Sequence, residues 1–347
     1  MMLRVAINGF GRIGRTSFKV AIDKHKGELE IVAINDLGDA ETLAHLLKYD
    51  SNYGIWKWEV GSDEKHIIVD QKPYLVLQEK EPQNLPWKDL NVDIVIESTG
   101  KFTDSEGAGA HLKAGAKRVV ISAPIHGSTS LTTSGDGTSG INTYLLGVNG
   151  DKYAGEEIIS NSSCTTNCIA PVAAIMHSKF GILKAMMTTT HAYTQDQNLQ
   201  DGPHRDLRRA RGAAQNIVPT STGAAISTTH VIPELEGKFD GTAMRVPVAV
   251  GSISDFTFLL KKKVTVEEVN QAFKEASENP IYKGILAVTE DPIVSSDIVG
   301  RSESAIVDLS LTQVVDGDMV KVFAWYDNEY GYSNRLVEQV INVGRNL

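Results

Sequence analysis

The stretch LRVAINGFGRIGR at residues 3–15 decides the fold of this 347-residue chain. An apolar run, Leu3–Asn8, leads directly into the pattern G-x-G-x-x-G at Gly9–Gly14. A helix is predicted over Arg15–Lys24, before a second apolar run at Glu30–Asn35. In such a βαβ unit the first glycine permits a tight turn, the second lets the backbone approach a pyrophosphate, and the third lets helix and strand pack closely. The helix N-terminus then faces the anion. The stretch therefore predicts a dinucleotide-binding fold.

Strand-like and helix-like runs alternate beyond this unit. The predicted helix Asp104–Ala114 ends in Gly115, and the predicted strand Thr143–Val148 follows a Gly-, Ser- and Thr-rich stretch at Gly127–Gly140. Further strands are predicted at Lys65–Val69, Tyr74–Gln78, Val92–Glu97 and Arg118–Ser122. This alternation predicts an α/β fold with a Rossmann-type, doubly wound parallel sheet. We interpret Gly127–Gly140 as a surface excursion within the first domain, because long insertions cost little stability.

The pattern changes after Cys164. A helix is predicted at Asn167–Phe180 and another at Thr265–Asn279, where Thr265 and Glu268 form a capping box. The longer strands with alternating apolar residues are Leu183–Ala192, Ala243–Ser252, Ser254–Leu260, Ala305–Leu311 and Met319–Tyr326. They predict an α+β catalytic domain with a mixed or antiparallel sheet. We therefore expect a dinucleotide-binding domain at residues 1–163 and a catalytic domain at 164–327. A C-terminal helix at about 328–347 is expected to return to the first domain.

Composition excludes several classes of protein. Lys and Arg total 34 and Asp and Glu 43, so the formal net charge is −9, which argues against a nucleic-acid partner. With 41% hydrophobic and 22% charged residues, the chain has the composition of a folded globular protein. It lacks a run of about 20 apolar residues that would span a membrane, and a glycine interrupts its start before a signal-peptide core forms. We expect a cytoplasmic protein without membrane association.

An acidic residue closes the second strand of the βαβ unit. Asp36 lies 22 residues after Gly14, where a carboxylate is expected to bind the adenosine ribose hydroxyls and to repel the extra phosphate of NADP. The alternative is that Asp36 only caps the turn that follows. Because strand, turn and acid occur together, the sequence favours NAD as the cofactor.

The chain has two cysteines, Cys164 and Cys168. Two are too few for a disulfide framework, and no neighbouring Cys or His completes a zinc site, so we predict no bound metal. Cys164 stands where a polar loop turns into a helix, and a helix N-terminus favours the thiolate, which is the nucleophilic form. Cys168, one turn further on, is better explained as a small buried residue, although a redox pair stays open.

His191 is the best candidate for a base that serves this thiol. It ends an apolar strand 27 residues after Cys164, within the segment TTTHAYT. Spacing alone does not distinguish it from a surface or packed histidine, because the chain contains nine histidines.

Nine segments, in order along almost the whole chain, resemble the phosphorylating glyceraldehyde-3-phosphate dehydrogenases. They are INGFGRIGR, NDL, HLLKYDS, SNSSCTTNCIAP, HAYTQDQ, DLRRAR, STGAA, MRVP and WYDNEYGYSNR. The resemblance implies NAD-dependent oxidation of D-glyceraldehyde 3-phosphate to 1,3-bisphosphoglycerate, in glycolysis or gluconeogenesis. Inorganic phosphate would be the second substrate, and the protein would be a homotetramer.

The resemblance also implies a role for individual residues. Cys164 would attack the aldehyde to give a hemithioacetal, and His191 would take its hydroxyl proton as hydride leaves, which yields an acyl thioester that phosphate attacks. Residues implied to bind the substrate's phosphate and the attacking phosphate are Ser163, Thr165, Thr194, Arg209, Thr222, Gly223 and Arg245. Residues implied to bind NAD are Gly9, Phe10, Gly11, Arg12, Ile13, Asp36, Lys80, Thr99, Ser122 and Asn328.

Four arginines crowd one short segment: Arg205, Arg208, Arg209 and Arg211. In isolation they would indicate a nucleic-acid contact or a solvated face. By resemblance they belong to a loop, at about Tyr193–Val218, that packs near the cofactor across a subunit interface.

Three features depart from the family pattern. Gly202 stands where NAD-linked members commonly have a bulky apolar residue, which leaves room near the adenosine ribose, so we expect NAD to be preferred with some use of NADP. Lys80-Glu81-Pro82 stands where an arginine and an aspartate often precede proline, so adenine-side contacts are expected to differ. Gly127–Gly140 is longer than the usual connection, and we interpret it as a tolerated insertion.

Two other functions stay open. An erythrose-4-phosphate dehydrogenase would use the same thiol and histidine, and a requirement for phosphate separates the two enzymes. A binding protein or redox sensor that has lost catalysis is disfavoured, because Cys164, His191 and Arg245 are all present.

Overall fold

The computed structural model describes residues 2–125 and 140–347. They form two compact units. Residues up to Tyr144, Gly150–Ser162 and Ser333–Leu347 make up the first, and Leu145–Asn149 and Ser163–Tyr332 make up the second. The division between Ser162 and Ser163 lies one residue before the boundary expected at 163/164. Leu145–Asn149, which was expected in the first domain, belongs to the second unit because Leu145 packs in that unit's hydrophobic core.

A mainly parallel sheet forms the first unit. Its elements in chain order are β1 (Leu3–Asn8), α1 (Arg12–Lys24), β2 (Leu29–Asn35), α2 (Ala40–Lys48), β3 (Tyr49–Asp50), β4 (Gly54–Ile55), β5 (Val60–Ser62), β6 (His66–Val69), β7 (Lys72–Leu77), β8 (Ile94–Glu97), α3 (Ser105–Lys113), β9 (Arg118–Ile121), β10 (Asn142–Thr143) and β11 (Ile158–Ser160). Nine of the described strands run in the order β10, β11, β9, β8, β1, β2, β7, β6, β5, and β3 and β4 form a separate two-stranded sheet. Pairs from β10 to β7 are parallel, and β5, β6 and β7 pair antiparallel.

The strand order of this sheet reverses between β1 and β8. From β1 the chain builds outward through β2 and β7, whereas β8, β9 and β11 lie on the other side. In open α/β sheets this switch point opens a crevice at the carboxyl ends of the strands, and ligands bind there. Asn8, at the end of β1, lies in register with Asn35 of β2 and Glu97 of β8.

A mixed sheet with helices packed on it forms the second unit. Its elements are α4 (Cys164–Phe180), β12 (Ile182–Ala192), β13 (Val218–Ser221), α5 (Ala224–Val231), β14 (Phe239–Val246), β15 (Ser252–Leu260), α6 (Val266–Glu278), β16 (Leu286–Thr289), β17 (Ala305–Asp308), β18 (Gln313–Val315) and β19 (Met319–Tyr326). The described strands run in the order β13, β14, β12, β15, β19, β17, β16, with β18 on β19. β12 pairs parallel with β14 and antiparallel with β15. A last helix, α7 (Tyr330–Gly344), starts in the second unit and ends in the first.

This architecture confirms the predicted fold class: a doubly wound α/β sheet followed by an α+β unit with a mixed sheet. Along β15 every second side chain is buried, which is the alternation that predicted it. The capping box of α6 is also present. None of the described helices is both long and apolar enough to cross a membrane.

Several predicted element bounds are wrong. The strand predicted at Thr143–Val148 is only Asn142–Thr143, because the chain then turns through Gly147 at φ +79°. The strand predicted at Ala243–Ser252 is Phe239–Val246, and Pro247, which has no N–H for a ladder, follows its end. The strand predicted to reach Leu311 stops at Asp308, whose side chain accepts a hydrogen bond from Ser310 N. Except for Gly140, the stretch 127–140 lies outside the described residues.

Candidate active site

Cys164 is the first residue of α4. The chain enters the helix through Ser163, which has an extended backbone and whose Oγ accepts a hydrogen bond from Thr166 N at 3.1 Å. α4 has 17 residues, so its dipole places partial positive charge beside Cys164. Cys164 is half-buried, whereas Cys168 is fully buried with Sγ 3.9 Å from Ala324 O. Cys164 is therefore the accessible thiol of the two.

His191 contacts Cys164 from the end of β12. Cys164 Sγ lies 3.4 Å from His191 Nε2. The parallel pairing of β12 with β14 places His191 beside Arg245. His191 Nδ1 lies 2.7 Å from Ala192 O and 2.6 Å from Arg245 Nη1, which also donates to Ala192 O at 3.0 Å. Two strands and one helix start thus bring an imidazole into direct contact with both a thiol and a guanidinium.

Burial opposes charge on both members of this pair. It raises the pKa of the Cys164 thiol, and the positive charge of Arg245 and a hydrogen bond from Thr165 offset this only in part. Burial, followed by the charge of Arg245, lowers the pKa of His191 to about 3. The helix N-terminus, on which the prediction of a thiolate rested, is therefore not sufficient. Because Nε2 lies 3.4 Å from Sγ, transfer of the thiol proton creates two opposite charges that stabilise each other.

Tyr326 packs beside the pair. Its hydroxyl lies 3.0 Å from Thr165 Oγ1 and 2.8 Å from Thr189 Oγ1, and its ring meets the His191 ring edge to face at 5.9 Å. Burial raises the pKa of Tyr326, so its phenol keeps its proton. The hydroxyl of Thr165, one of the expected phosphate ligands, is therefore engaged with Tyr326 in this structure.

A second cluster of polar side chains surrounds Asp196. Thr194 Oγ1 donates to Asp196, and Arg209 Nη1 lies 2.5 Å from Asp196 Oδ2. Arg209 Nε also donates to Thr220 Oγ1 at 2.9 Å. Burial acts to raise the pKa of Asp196, but the Thr194 hydrogen bond and the charges of Arg245 and Arg209 together lower it. Two expected anion-binding residues, Thr194 and Arg209, are thus held by a carboxylate of the chain itself.

Thr222 and Gly223 stand at the start of α5. Gly223 is the N-cap and Thr222 Oγ1 accepts a hydrogen bond from Ala224 N at 3.2 Å. No hydrogen bond between described residues joins them to Cys164, to His191 or to the cluster around Asp196. Direct hydrogen bonds therefore link only part of the expected phosphate-binding residues to the rest of the site.

The glycine turn after β1 has the shape that a dinucleotide requires. Gly9 has φ +92°, and a Cβ there would lie 2.7 Å from Ser98 C. A Cβ on Gly14 would lie 2.1 Å from Gly9 O, whereas a Cβ on Gly11 would meet nothing within 4 Å. Gly11 is also the N-cap of α1 and offers no side chain to cap it. The first and third glycines thus allow close packing, and the second leaves open space at the helix start for a pyrophosphate.

The remaining expected cofactor residues of the first unit surround this turn. Asp36 Oδ2 accepts a hydrogen bond from Phe10 N at 2.7 Å, and Oδ1 accepts one from Gly38 N at 3.0 Å. Asp36 therefore supports the glycine turn and also caps the turn that follows β2. Arg12 Nη1 pairs with Asp50 Oδ2 at 2.8 Å. Thr99 donates to Glu97 through its N–H and its hydroxyl. Of the others, Ile13 and Ser122 are partly buried and Lys80 is exposed.

Asn328 belongs to the second unit. Its Oδ1 accepts hydrogen bonds from Gly251 N at 3.1 Å and Ser252 Oγ at 3.0 Å. This orientation leaves its amide N–H groups without a hydrogen-bond partner among the described residues. A carboxamide held in this way can donate to a carbonyl of a bound ligand.

Sequence reasoning did not assign a role to Asp196 or Tyr326. Asp196 lies inside the quoted segment HAYTQDQ, where its position beside Thr194 was the available signal. Tyr326 is 161 residues from Thr165 along the chain, so no local pattern indicated their contact.

The fold and the site define a nicotinamide-dependent dehydrogenase that acts through a cysteine nucleophile. The family model described as glyceraldehyde 3-phosphate dehydrogenase, NAD binding domain, matches residues 3–105, and the model of the C-terminal domain matches residues 163–328. The glyceraldehyde-3-phosphate dehydrogenase of Streptomyces coelicolor is 53% identical over 349 residues, with all of both chains covered. That of Geobacillus stearothermophilus is 51% identical over 340 residues, with 97% of each chain covered.

This chain belongs to the glyceraldehyde-3-phosphate dehydrogenase family. The resemblance found in the nine segments is thereby confirmed, and with it NAD as cofactor and glyceraldehyde 3-phosphate as substrate.

Proposed function

We propose that the chain oxidises glyceraldehyde 3-phosphate in the phosphorylating manner, with inorganic phosphate as co-substrate and 1,3-bisphosphoglycerate as product. The 3.4 Å contact between Cys164 Sγ and His191 Nε2 carries the proposal, since it joins a nucleophile to a base. In this proposal residues 1–163, with the C-terminal helix, bind NAD and residues 164–327 perform the catalysis.

The first step adds Cys164 to the aldehyde. His191 Nε2 accepts the thiol proton, Sγ bonds to the aldehyde carbon, and the carbonyl oxygen takes that proton back from His191 to give a hemithioacetal. The backbone N–H of Cys164, at the start of α4, is suited to hold the developing oxyanion. An anion that accepts hydrogen bonds from Arg245 also offsets the charge that lowers the pKa of His191, so a bound substrate phosphate makes His191 a stronger base.

The second step oxidises this adduct. Bound NAD supplies the hydride acceptor. His191 removes the hydroxyl proton, the carbon–hydrogen bond of the adduct breaks as hydride leaves, the carbon–oxygen bond becomes a carbonyl, and an acyl thioester remains on Cys164. Asn328 is suited to bind the carboxamide of the nicotinamide through its unpaired amide N–H groups.

The third step transfers the acyl group to phosphate. A phosphate oxygen bonds to the acyl carbon, the carbon–sulfur bond breaks and the Cys164 thiolate leaves. We propose that Ser163, Thr165, Thr194, Arg209, Thr222, Gly223 and Arg245 bind the two phosphates. Arg209 and Thr194 become available when an incoming anion replaces Asp196, which now occupies them.

We propose that Gly9, Phe10, Gly11, Arg12, Ile13, Asp36, Lys80, Thr99, Ser122 and Asn328 bind NAD. The open space above Gly11 and the position of Asp36 beside the turn support this set. Asp36 favours NAD over NADP because a carboxylate repels the 2′-phosphate.

We also propose a homotetramer in the cytoplasm. Leu199, Leu207 and Ile217, in and beside the arginine-rich loop, are exposed large apolar side chains, as expected for a surface covered by another subunit. Both cysteines are free, and a catalytic thiol must remain reduced.

The test is NADH formation from glyceraldehyde 3-phosphate and NAD, with and without inorganic phosphate, for the wild type and Cys164→Ser. We expect sustained turnover only with phosphate, and none with Cys164→Ser; Cys168→Ser serves as the matched control and keeps activity. Sustained turnover without phosphate would contradict the phosphorylating step and favour an erythrose-4-phosphate dehydrogenase.

A further inference from the structure

A buried carboxylate lies at the switch point of the first unit. Glu97 ends β8 and is 1% exposed. Its Oε1 accepts hydrogen bonds from the N–H and the hydroxyl of Thr99, and its Oε2 accepts from Asn8 Nδ2 at 2.6 Å and faces His111 Nε2 at 2.9 Å. The two carboxylate oxygens of Glu97 thus face four donors, two each, which is the hydrogen-bonding pattern of an ionised carboxylate.

Trp87 determines the protonation of His111. The indole Nε1–H, which can only donate, lies 2.9 Å from His111 Nδ1. Nδ1 must therefore accept, so the single ring proton is on Nε2 and points at Glu97. The imidazole, which is fully buried, is neutral. Because no lysine or arginine among residues 2–125 and 140–347 forms an ion pair with Glu97, its negative charge is not compensated.

The Glu97 charge lies in the half of the cofactor crevice that begins with β8. The crevice opens between β1 and β8. Asp36, after β2, belongs to the half expected to bind adenosine, and β8 begins the other half, where the nicotinamide nucleoside is expected. Glu97 accepts two hydrogen bonds from Thr99. Thr99 in turn lies beside the glycine turn, since a Cβ on Gly9 would lie 2.7 Å from Thr99 N.

We propose that the Glu97 carboxylate biases this site toward the oxidised cofactor, an inference that rests on the proposed cofactor site. The nicotinamide ring carries a positive charge in NAD⁺ and none in NADH, while the two phosphates, the riboses and the adenine are the same in both. A buried negative charge beneath the nicotinamide half therefore stabilises bound NAD⁺ relative to bound NADH. Solvent screens a buried charge poorly, so the effect persists at physiological salt.

The test compares dissociation constants, measured by titration calorimetry for NAD⁺ and for NADH. In Glu97→Gln, Kd for NADH divided by Kd for NAD⁺ is expected to fall on the order of ten-fold relative to the wild type. A purely structural role, through Thr99 and the glycine turn, would change both constants by the same factor and leave the ratio unchanged.

Two variants serve as controls. Asp23→Asn also removes one negative charge, but at the C-terminal end of α1, where Asp23 accepts from the indoles of Trp56 and Trp58, so its ratio is expected to stay at the wild-type value. His111→Gln keeps the Glu97 charge and offers an uncharged amide N–H in place of the imidazole donor, so it is also expected to leave the ratio unchanged. A wild-type ratio in Glu97→Gln, or a change of equal size in Asp23→Asn, overturns the inference.

Glu97→Gln places an amide N–H2 against at least one donor, so a double variant replaces it if it does not fold. The double variant Glu97→Gln/His111→Gln supplies a carbonyl at position 111 to accept that N–H2, and the same fall in the ratio is expected. If the wild type binds neither cofactor, the proposed cofactor site itself is wrong. If it binds both and the ratio is unchanged in the folded variant, only the inference about Glu97 fails.

Discussion

At the residue scale the proposed chemistry depends on three side chains, of which His191 contacts the other two. Cys164, His191 and Arg245 come from the start of one helix and from two paired strands. Burial alone favours a neutral thiol and a neutral imidazole. The 3.4 Å contact allows the proton to pass between them, so in the proposed mechanism the reactivity of Cys164 depends on His191.

This dependence predicts the effect of His191→Asn. Without an imidazole to accept the proton, the thiolate forms only at higher pH, because burial raises the pKa of Cys164. At pH 7 the rate of alkylation by iodoacetamide is expected to fall by about ten-fold or more, and its pH profile is expected to move upward.

The experiment uses a Cys168→Ala background, so that a single thiol reacts, and His66→Asn as the control. His66 is a histidine of the first unit that faces Asp63. An unchanged pH profile in His191→Asn would show that His191 does not activate the thiol.

Local motifs made part of this site predictable. The glycine turn and Asp36 lie within one βαβ unit, and Cys164 lies at a predicted helix start, so short-range spacing was enough. The contact between His191 and Cys164 joins a strand end to a helix start 27 residues away, and the resemblance supported it more strongly than spacing did. The contact of His191 with Arg245 depends on strand pairing across 54 residues and was not predicted. Asp196 was missed because its importance comes from Arg209 and Arg245, which approach it only in the folded chain.

At the scale of elements, a helix start was predictable where a local cap marks it, whereas α1 and α4, predicted to start at Arg15 and Asn167, start three residues earlier at Arg12 and Cys164. Thr265 and Glu268 predicted the start of α6 because both halves of a capping box are encoded locally. The end of β14 depends on its pairing with β12 and β13, which no local pattern shows. α2 was missed although its signals are present: Asp39 caps it by accepting from Thr42 N at 2.8 Å.

The capping box predicts the effect of Thr265→Ala. Thr265 Oγ1 accepts from Glu268 N at 3.2 Å, and Glu268 Oε2 accepts from Thr265 N at 2.8 Å. Loss of the hydroxyl is expected to destabilise the cooperative unit that contains α6 by about 1 kcal/mol and to lower its thermal unfolding midpoint by about 2 °C. Thr265→Ser, which keeps the hydroxyl, is expected to unfold close to the wild-type temperature. Equal destabilisation by both variants would mean that the cap hydroxyl is not responsible.

At the scale of the whole molecule, the sequence predicted two architectures and their order. Alternating strands and helices indicated a parallel sheet, and the later strands with alternating burial indicated a mixed one. The assignment of Leu145–Asn149 to the second unit was not predictable, because it depends on a core that later residues build. Strand order was not predictable in detail either, since it arises from long-range pairing.

The central claim is that Cys164 carries an acyl group that inorganic phosphate removes. The most direct measurement is the intact mass of the protein after it is mixed with glyceraldehyde 3-phosphate and NAD in the absence of phosphate, followed by peptide mapping. We predict a phosphoglyceroyl adduct on Cys164, close to one per chain, that disappears within one turnover when phosphate is added. An adduct on another residue, or one that phosphate does not discharge, would contradict the account.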